Sequence, residues 1–247
     1  MQGLVTLDFG NSNPHAGIFQ KHQGNWELLK VIPLSSLDEE LKAQQMEPGN
    51  TTMVLCEVKS RNEEIAKLQE KGFLITRIKD YWKGNKFAGM PVNYTQTLGE
   101  DRLIEAYYVF KKLKKNALVI NSGTFVTMDV ITKDGFQGGY IIPGIQSYME
   151  LYKKGDQLKD VLLEGKIKSN LPKATADAMR DSYSAFGTLA QNLLKDFSLE
   201  TIVLTGGSYS LWDEILNSQS LGIVEEKIPH LIHLALHYWM TTQIEIL

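Results

Sequence analysis

The sequence predicts an α/β protein built from two domains of similar plan that face one another. Apolar strand patterns and amphipathic helix patterns alternate along most of the chain, as an α/β fold requires. The pattern of strand, polar and glycine turn, and second strand in residues 5–19 also returns in residues 118–132. In this repeat Asp8 falls where Asn121 falls, so we expect one domain in residues 1–115 and a second in residues 116–247.

The first domain is expected to begin with a meander of strands. Its clearest helix is 100–115, EDRLIEAYYVFKKLKK, which places Leu103, Tyr107 and Phe110 at helical spacing. Acids lie at the start of this segment and lysines at its end, as the helix dipole favours. The predicted elements are strands at 3–8, 16–19 and 26–33, a helix at 35–45, a strand at 53–56, a helix at 61–70, a strand at 73–75 and a helix at 100–115.

The second domain is expected to repeat the opening strands and then turn largely helical. Residues 117–144 contain three strand patterns, with a turn at Lys133-Asp134-Gly135 before the third. The remaining predicted elements are helices at 145–154 and 173–195, a strand at 201–204, and helices at 209–217 and 229–243.

Composition narrows the function classes. The net charge of -3 and the pI near 6.0, with scattered Lys and Arg, argue against nucleic acid as a partner. Cys56 is the only cysteine, which excludes an intrachain disulfide. No apolar run approaches the roughly 18 residues of a membrane span, and no leader pattern opens the chain. We therefore expect a soluble, cytoplasmic protein with no membrane partner.

Three glycine-containing turns follow predicted strands. Asp8-Phe9-Gly10-Asn11 ends the first strand, Gly123-Thr124 follows its counterpart, and Thr205-Gly206-Gly207 follows the strand at 201–204. Such turns can bring backbone N–H groups up to phosphate oxygens, because glycine has no Cβ to block the approach. A plain turn is the ordinary alternative for each of them taken alone.

The order of these motifs resembles the type III pantothenate kinases, within the superfamily of sugar kinases, heat-shock chaperones and actin. The resemblance runs through most of the chain and implies two ribonuclease-H-like (actin-like) domains facing a cleft. The matching segments are Asp8-Phe9-Gly10-Asn11-Ser12, Gly99-Glu100-Asp101-Arg102, the segment 121–129 (NSGTFVTMD), the segment 138–144 (GGYIIPG) and the segment 173–179 (KATADAM).

This resemblance implies ATP-dependent phosphorylation of pantothenate, the first step of coenzyme A biosynthesis. Asp101 would act as general base toward the pantothenate hydroxyl, and Arg102 would pair with the pantothenate carboxylate. Tyr94, Gly99 and Thr175 match positions around pantothenate. From the residues alone, Asp101 can also be an acid that favours the helix dipole, Tyr94 a half-buried loop aromatic, and Thr175 an ordinary N-cap.

The same resemblance assigns the nucleotide and cation sites. Asp8 would bind Mg²⁺ through the ATP phosphates or through water. Asn121 stands where the family has an aspartate, and the resemblance implies that this position is a ligand of a monovalent cation such as K⁺ or NH₄⁺. Because an amide lacks the carboxylate charge, cation affinity should fall. Phe125 replaces a usually small residue beside the second turn. The predicted ATP-binding residues are Asp8, Gly10, Asn11, Ser12, Gly123 and Thr124.

Further expectations concern assembly, alternative functions and three histidines. The resemblance implies a homodimer, and residues 176–195 offer an apolar helical surface for the contact between the two copies. The same residues can equally pack into the core of their own domain. Asn121 and Phe125 keep open a catalytically impaired member that acts as a binding or regulatory protein, and a kinase for another small hydroxyl compound is the third reading. His230, His233 and His237 have zinc-like spacing, but no acid or cysteine completes the set, so we expect them at the surface or as partners of the helix dipole.

Overall fold

A computed structural model describes residues 3–10, 12–158, 171–217 and 224–244. By contacts the chain divides into two compact units. The first comprises Met1–Lys114, Asp134–Phe136 and His230–Leu247, and the second comprises Lys115–Lys133 and Gln137–Pro229. None of the described helices combines the length and the apolar character needed to span a membrane.

The secondary structure alternates as the sequence predicts. The strands are β1 Gly3–Phe9, β2 His15–His22, β3 Asn25–Pro33, β4 Thr51–Glu57, β5 Ile75–Arg77, β6 Trp82–Lys83, β7 Lys86–Phe87, β8 Met90–Pro91, β9 Ala117–Ser122, β10 Phe125–Thr132, β11 Gly135–Pro143, β12 Thr201–Thr205 and β13 Val224–Lys227. The helices are α1 Leu37–Ala43, α2 Asn62–Glu70, α3 Glu100–Tyr108, α4 Ile145–Tyr152, α5 Thr175–Asp181, α6 Ala185–Asp196, α7 Tyr209–Asn217 and α8 Leu231–Ile244.

Each unit contains a five-stranded sheet with the same strand order. The order is β3-β2-β1-β4-β5 in the first unit and β11-β10-β9-β12-β13 in the second. In both sheets the central strand pairs antiparallel with the strand that follows it and parallel with a later one. The predicted α/β class with two sheets of similar plan is therefore confirmed.

The strand register places the two turn motifs at equivalent positions. In the first sheet Asp8 pairs with His15 of β2 and with Cys56 of β4. In the second sheet Asn121 occupies the corresponding position, paired with Thr127 of β10 and with Thr205 of β12. Both residues lie at the carboxyl end of a central strand, where open α/β sheets bind their ligands.

Two predicted elements differ from the structure. The helix expected at 173–195 is divided into α5, a 3₁₀ turn at Ser182–Ser184, and α6. The hydroxyls of Ser182 and Ser184 donate hydrogen bonds back to the carbonyls of Met179 and Asp181, at 2.8 and 2.6 Å, and these bonds compete with regular helix geometry. The strand expected at 73–75 lies at Ile75–Arg77.

Other elements carry no clear signal in the sequence. The three-stranded sheet of β6, β7 and β8 consists of strands only two residues long, too short to show a periodic pattern.

The helix predicted at 100–115 is confirmed as α3, which continues through a π-helical segment at Val109–Leu113 and ends at Lys114 with a positive φ of 55°. The C-terminal helix α8 packs against α3, β1 and β4 of the first unit.

Candidate active site

Asp8 presents a buried carboxyl group at the end of β1. The residue is 8% exposed, and its Oδ1 atom accepts no hydrogen bond from any described residue. Burial and the nearby charge of Asp101 raise the pKa of Asp8 to about 7, although the Gly10 N–H opposes this shift. An unsatisfied buried carboxylate oxygen fits a bound cation or a cation-bound water.

Asp101 lies in the first turn of α3. Its Oδ1 accepts the backbone N–H of Arg102 at 2.8 Å. Burial raises the pKa of the Asp101 carboxyl, while that hydrogen bond and the Arg102 charge oppose the rise. Gly99, the N-cap residue of α3, leaves the space that this carboxylate occupies, because a Cβ at residue 99 would collide with Asp101 Oδ1. The structure thus brings Asp8 and Asp101 together within the first unit.

The carboxyl cluster is larger than the sequence indicated. The thiol of Cys56 is buried beside Asp8 in the sheet, and its pKa is raised first by burial and then by the charges of Asp8, Asp101, Glu100 and Glu105. Glu100 and Glu105 were missed because both read as ordinary polar positions of an amphipathic helix. Their convergence depends on where α3 meets the end of β4.

Glu100 connects α3 to β4 directly. Its Oε2 accepts the backbone N–H of Glu57, the last residue of β4, at 2.9 Å. Burial raises the pKa of Glu100 to about 7, and the charges of Lys79, Glu57 and Arg77 modify the shift. Glu57 is in turn paired with Arg77 at 3.2 Å and with Lys79 at 3.3 Å. The hydrogen bond from Glu57 to Glu100 fixes the start of α3, and therefore Asp101, relative to the carboxyl end of β4.

Arg102 is held by two aromatic rings. Its guanidinium carbon lies 5.4 Å from the ring centroid of Tyr94 and 5.7 Å from that of Phe136, and Arg102 is only 4% exposed. Both distances lie within the cation–π range. A cavity of about 620 Å³ adjoins this group, lined by Asn85, Val92, Asn93, Tyr94 and Thr95. Tyr94 is 38% exposed, and its ring both covers the guanidinium and borders the cavity.

In the second unit, the glycine turn at Gly123-Thr124 is held by Gly144, which ends a motif later in the chain. Gly123-Thr124 joins β9 to β10, and the Gly123 N–H donates to the Phe125 carbonyl at 3.0 Å. The Gly144 N–H donates to the Thr124 carbonyl at 3.0 Å. A Cβ at residue 144 would collide with the Gly123 carbonyl and lie 2.7 Å from the Thr124 carbonyl, so only glycine fits there. Phe125 is 49% exposed beside the turn.

The third glycine turn closes against Asn121. Gly206 has a φ of +86°, and a Cβ there would lie 2.5 Å from the Ser122 carbonyl oxygen and 2.6 Å from Asn121 Oδ1. The Ser208 N–H donates to the Ser122 carbonyl at 3.0 Å. The turn after β12 therefore packs directly on the end of β9, which joins two of the predicted motifs within this unit.

Comparison with known proteins decides the family. The model of the type III pantothenate kinase family matches residues 4–191. This chain belongs to the type III pantothenate kinase family. It is 29% identical over 141 residues to the type III pantothenate kinase of Campylobacter hominis, covering 56% of this chain and 61% of that protein. It is 24% identical over 222 residues to that of Idiomarina loihiensis, covering 84% and 83%.

The coverage of other curated pantothenate kinases is smaller. The match to the type III pantothenate kinase of Persephonella marina is 30% identical over 127 residues, which is 47% of this chain and 49% of that protein. This chain therefore spans about half to three fifths of the length of several curated relatives that it matches.

Solved structures agree on the fold. A Campylobacter jejuni protein described as a Baf family transcriptional activator has a TM-score of 0.62 at 19% identity, covering 98% of this chain and 100% of that one. A Sinorhizobium meliloti protein described as a 2-dehydro-3-deoxygalactonokinase has a TM-score of 0.60 at 13% identity, covering 98% and 99%. At these identities the likeness concerns the fold alone.

The other predicted site residues of this pantothenate kinase family member include Thr175, Gly10, Asn11 and Ser12. Thr175 is exposed and is the first residue of α5, whereas Ala174 occupies the N-cap position without a capping side chain. The alternative reading of Thr175 as the N-cap is therefore wrong. Ser12 is exposed, Gly10 is partly buried, and Asn11 lies outside the described residues. Within the described ranges, no group of three or more His, Cys, Asp or Glu side chains forms a metal site.

The histidines of α8 correct another expectation. His233 is fully buried, and a ring nitrogen of His15 lies 3.1 Å from its Nε2. His237 stacks on Phe19 with ring centroids 4.5 Å apart. The expected surface positions are wrong for these two α8 residues, because α8 is packed against the first sheet rather than exposed. The sequence alone contained no signal for the contact between His15 and His233.

Proposed function

We propose that this protein phosphorylates pantothenate with ATP to form 4′-phosphopantothenate, the first step of coenzyme A biosynthesis. The observation that carries the proposal is that Asp101 lies near enough to Asp8 for its charge to raise the pKa of the Asp8 carboxyl. One carboxyl has an unsatisfied oxygen suited to a cation, and the other has a raised pKa suited to a base. Phosphoryl transfer needs a cation that neutralises charge, a proton acceptor near the nucleophile and accurate positioning of the reactants.

Asp101 accepts the proton of the pantothenate hydroxyl in this proposal. Burial raises the pKa of Asp101 and makes its carboxylate a stronger base, while the charge of Arg102 and the Arg102 backbone N–H oppose the rise. Arg102 pairs with the pantothenate carboxylate through its planar guanidinium, oriented by Tyr94 and Phe136. Gly99 leaves room for Asp101, and Thr175 contributes a hydroxyl to pantothenate.

Asp8 orients Mg²⁺ through water or through the ATP phosphates, which fits its unsatisfied Oδ1. When bound, Mg²⁺ neutralises charge on the phosphates. The two glycine turns contact the phosphate oxygens, with Gly10, Asn11 and Ser12 in one turn and Gly123 and Thr124 in the other. The glycines serve by leaving room for the close approach, since the Gly123 N–H already donates to the Phe125 carbonyl. Asn121 offers a neutral amide oxygen to a monovalent cation, so we expect weak or absent dependence on K⁺ or NH₄⁺.

The proposed setting is a cytoplasmic homodimer. Residues 176–195, which form α5 and α6, supply the proposed contact between the two copies. Tyr183 and Ala190 of this segment are buried in the core of the second unit. The proposed contact therefore relies on the exposed Ala178 and on Phe186 and Leu189, which are partly exposed.

A coupled assay of ADP release tests the proposal. Purified protein is supplied with Mg-ATP, with and without pantothenate, in potassium, ammonium or sodium buffer. We expect pantothenate-dependent ADP release that falls at least about 100-fold in Asp101→Asn. The matched control is Asp196→Asn, because Asp196 is an exposed aspartate at the end of α6.

The outcomes separate the three functional readings. Normal turnover by Asp101→Asn would refute the assignment of the base. Pantothenate binding by calorimetry without ADP release in any cation would favour the non-catalytic binding protein instead. ADP release with another hydroxyl compound from a substrate panel, but not with pantothenate, would identify a kinase of different specificity.

A further inference from the structure

A line of polar side chains connects Asp8 to the interior of the first unit. Asp8 Oδ2 lies 3.5 Å from His15 Nδ1. The same His15 nitrogen lies 3.1 Å from His233 Nε2, and His233 Nδ1 lies 2.7 Å from Thr6 Oγ1. These residues come from β1, β2 and α8, so the line depends on the tertiary packing of α8 against the sheet.

The inner end of the line is built into the sheet. Thr6 and His233 are both fully buried, and Thr6 pairs with Gly17 of β2. A Cβ at residue 17 would lie 2.5 Å from Thr6 Oγ1 and 2.8 Å from His233 Nδ1. Glycine at this position therefore leaves the space that the imidazole occupies, and the ring of His233 has little freedom to move.

The hydrogen bonds can be assigned along the line from its inner end. The Thr6 hydroxyl donates to the Gly17 carbonyl at 3.3 Å, so Thr6 Oγ1 accepts from an Nδ1–H of His233. His233 Nε2 is then an acceptor, and His15 must carry its proton on Nδ1.

The outer end of the line meets the proposed metal and nucleotide site. His15 donates its Nδ1–H to His233 Nε2 at 3.1 Å, and Asp8 Oδ2 lies against the same edge of the ring, 3.5 Å from Nδ1. Asp8 Oδ1 accepts no hydrogen bond from a described residue. We propose that His233 holds His15, and His15 in turn positions the carboxylate of Asp8 so that Oδ1 is presented to the Mg²⁺–nucleotide. This inference rests on the proposed kinase function, and it makes both histidines positioning residues rather than catalytic ones.

Kinetics of His15 variants test the proposal, since the His15 side chain is 33% exposed and its replacement disturbs the core less than replacement of the fully buried His233. Removing a residue that orients a metal-associated ligand typically costs 10–100-fold in metal affinity, so His15→Leu should raise the KM for Mg-ATP about 10-fold or more. The KM for pantothenate should change less than about twofold, because a local loss at Asp8 does not affect that substrate. His15→Asn, whose amide N–H replaces Nδ1–H, should restore most of the loss.

His22→Leu is the matched control, because His22 is an exposed histidine at the end of the same strand. A second measurement does not require turnover: ¹⁵N NMR of the imidazole rings should show Nδ1–H on both His15 and His233, and calorimetry should show weaker Mg-ADP binding in His15→Leu.

Each outcome decides the matter. An active wild-type protein whose His15→Leu variant has the same Mg-ATP KM as His22→Leu would overturn this inference and leave the proposed function in place. A proton on Nε2 of His15 in the NMR spectrum would also overturn it. A wild-type protein that releases no ADP would overturn the proposed function, and the inference with it.

Discussion

The carboxylate of Glu100 accepts a hydrogen bond from the backbone N–H of Glu57 at 2.9 Å, and this contact joins the first turn of α3 to the last residue of β4. The carboxyl that makes the contact has a pKa raised to about 7, chiefly by burial. Because Asp101 follows Glu100 directly, the ionisation of Glu100 takes place beside the proposed base.

Glu100→Gln should change how stability depends on pH. The folded state binds the Glu100 proton more strongly than the unfolded state, whose pKa is near 4.5, so the wild type loses stability as pH rises from 4.5 to 7. The glutamine side chain of the variant does not ionise, so its stability does not fall over this pH range, and its amide oxygen still accepts the Glu57 N–H. After discounting for solvent screening, we expect the variant to be more stable by about 1–2 kcal/mol at pH 8 and equal near pH 4.5.

Urea unfolding between pH 4.5 and 8 measures this difference. Glu63→Gln serves as the control, because Glu63 is an exposed glutamate in the first turn of α2. A difference between wild type and Glu100→Gln that is the same at both ends of the range would mean that Glu100 titrates normally.

Gly99→Ala should lower kcat by about 10–100-fold, because misplacing a reacting group by 1 Å can cost that much. The backbone of Gly99, with φ -62° and ψ 144°, is open to alanine, so the expected effect comes from the collision of the new Cβ with Asp101 Oδ1. Steady-state kinetics and thermal unfolding measure it beside Gly49→Ala, whose Cβ would meet no atom within 4 Å. Unchanged kcat in Gly99→Ala would show that Asp101 has room to move without loss.

Arg102→Lys should raise the KM for pantothenate about 10-fold or more and change kcat less. A lysine ammonium cannot reproduce the planar, bidentate geometry that suits a carboxylate, nor the stacking between Tyr94 and Phe136. Tyr94→Phe keeps the ring over the guanidinium and should leave this KM within about twofold of the wild-type value. An equal KM in Arg102→Lys and wild type would remove Arg102 from the carboxylate site.

Gly206→Ala should destabilise the second unit by about 2–4 kcal/mol, measured by urea unfolding. The variant combines a strained positive φ with close contacts to the Ser122 carbonyl and to Asn121 Oδ1. Gly24→Ala separates the two effects, because Gly24 has a similar φ of +90° but a Cβ there would meet nothing within 4 Å. We expect Gly24→Ala to cost about 1 kcal/mol, and equal losses would exclude the packing contribution.

Much of the local structure could be predicted from the sequence, because strand and helix periodicity and glycine turns depend on neighbouring residues. The repeat that aligned Asp8 with Asn121 corresponds to equivalent strand positions in two sheets of identical order. The motif around Gly99 and Asp101 also has a local explanation, since the glycine leaves space for a side chain two positions later.

The sequence by itself determined the α/β class, the repeated strand and turn plan, and the family motifs, because each is written in residues close together in the chain. Tertiary structure alone decided that α8 returns to the first unit and sets His233 against His15, 218 positions away. It also decided that Phe136 covers Arg102 and that Glu100 meets Glu57. These contacts join residues distant in sequence, and no local pattern records which buried surfaces will pack together.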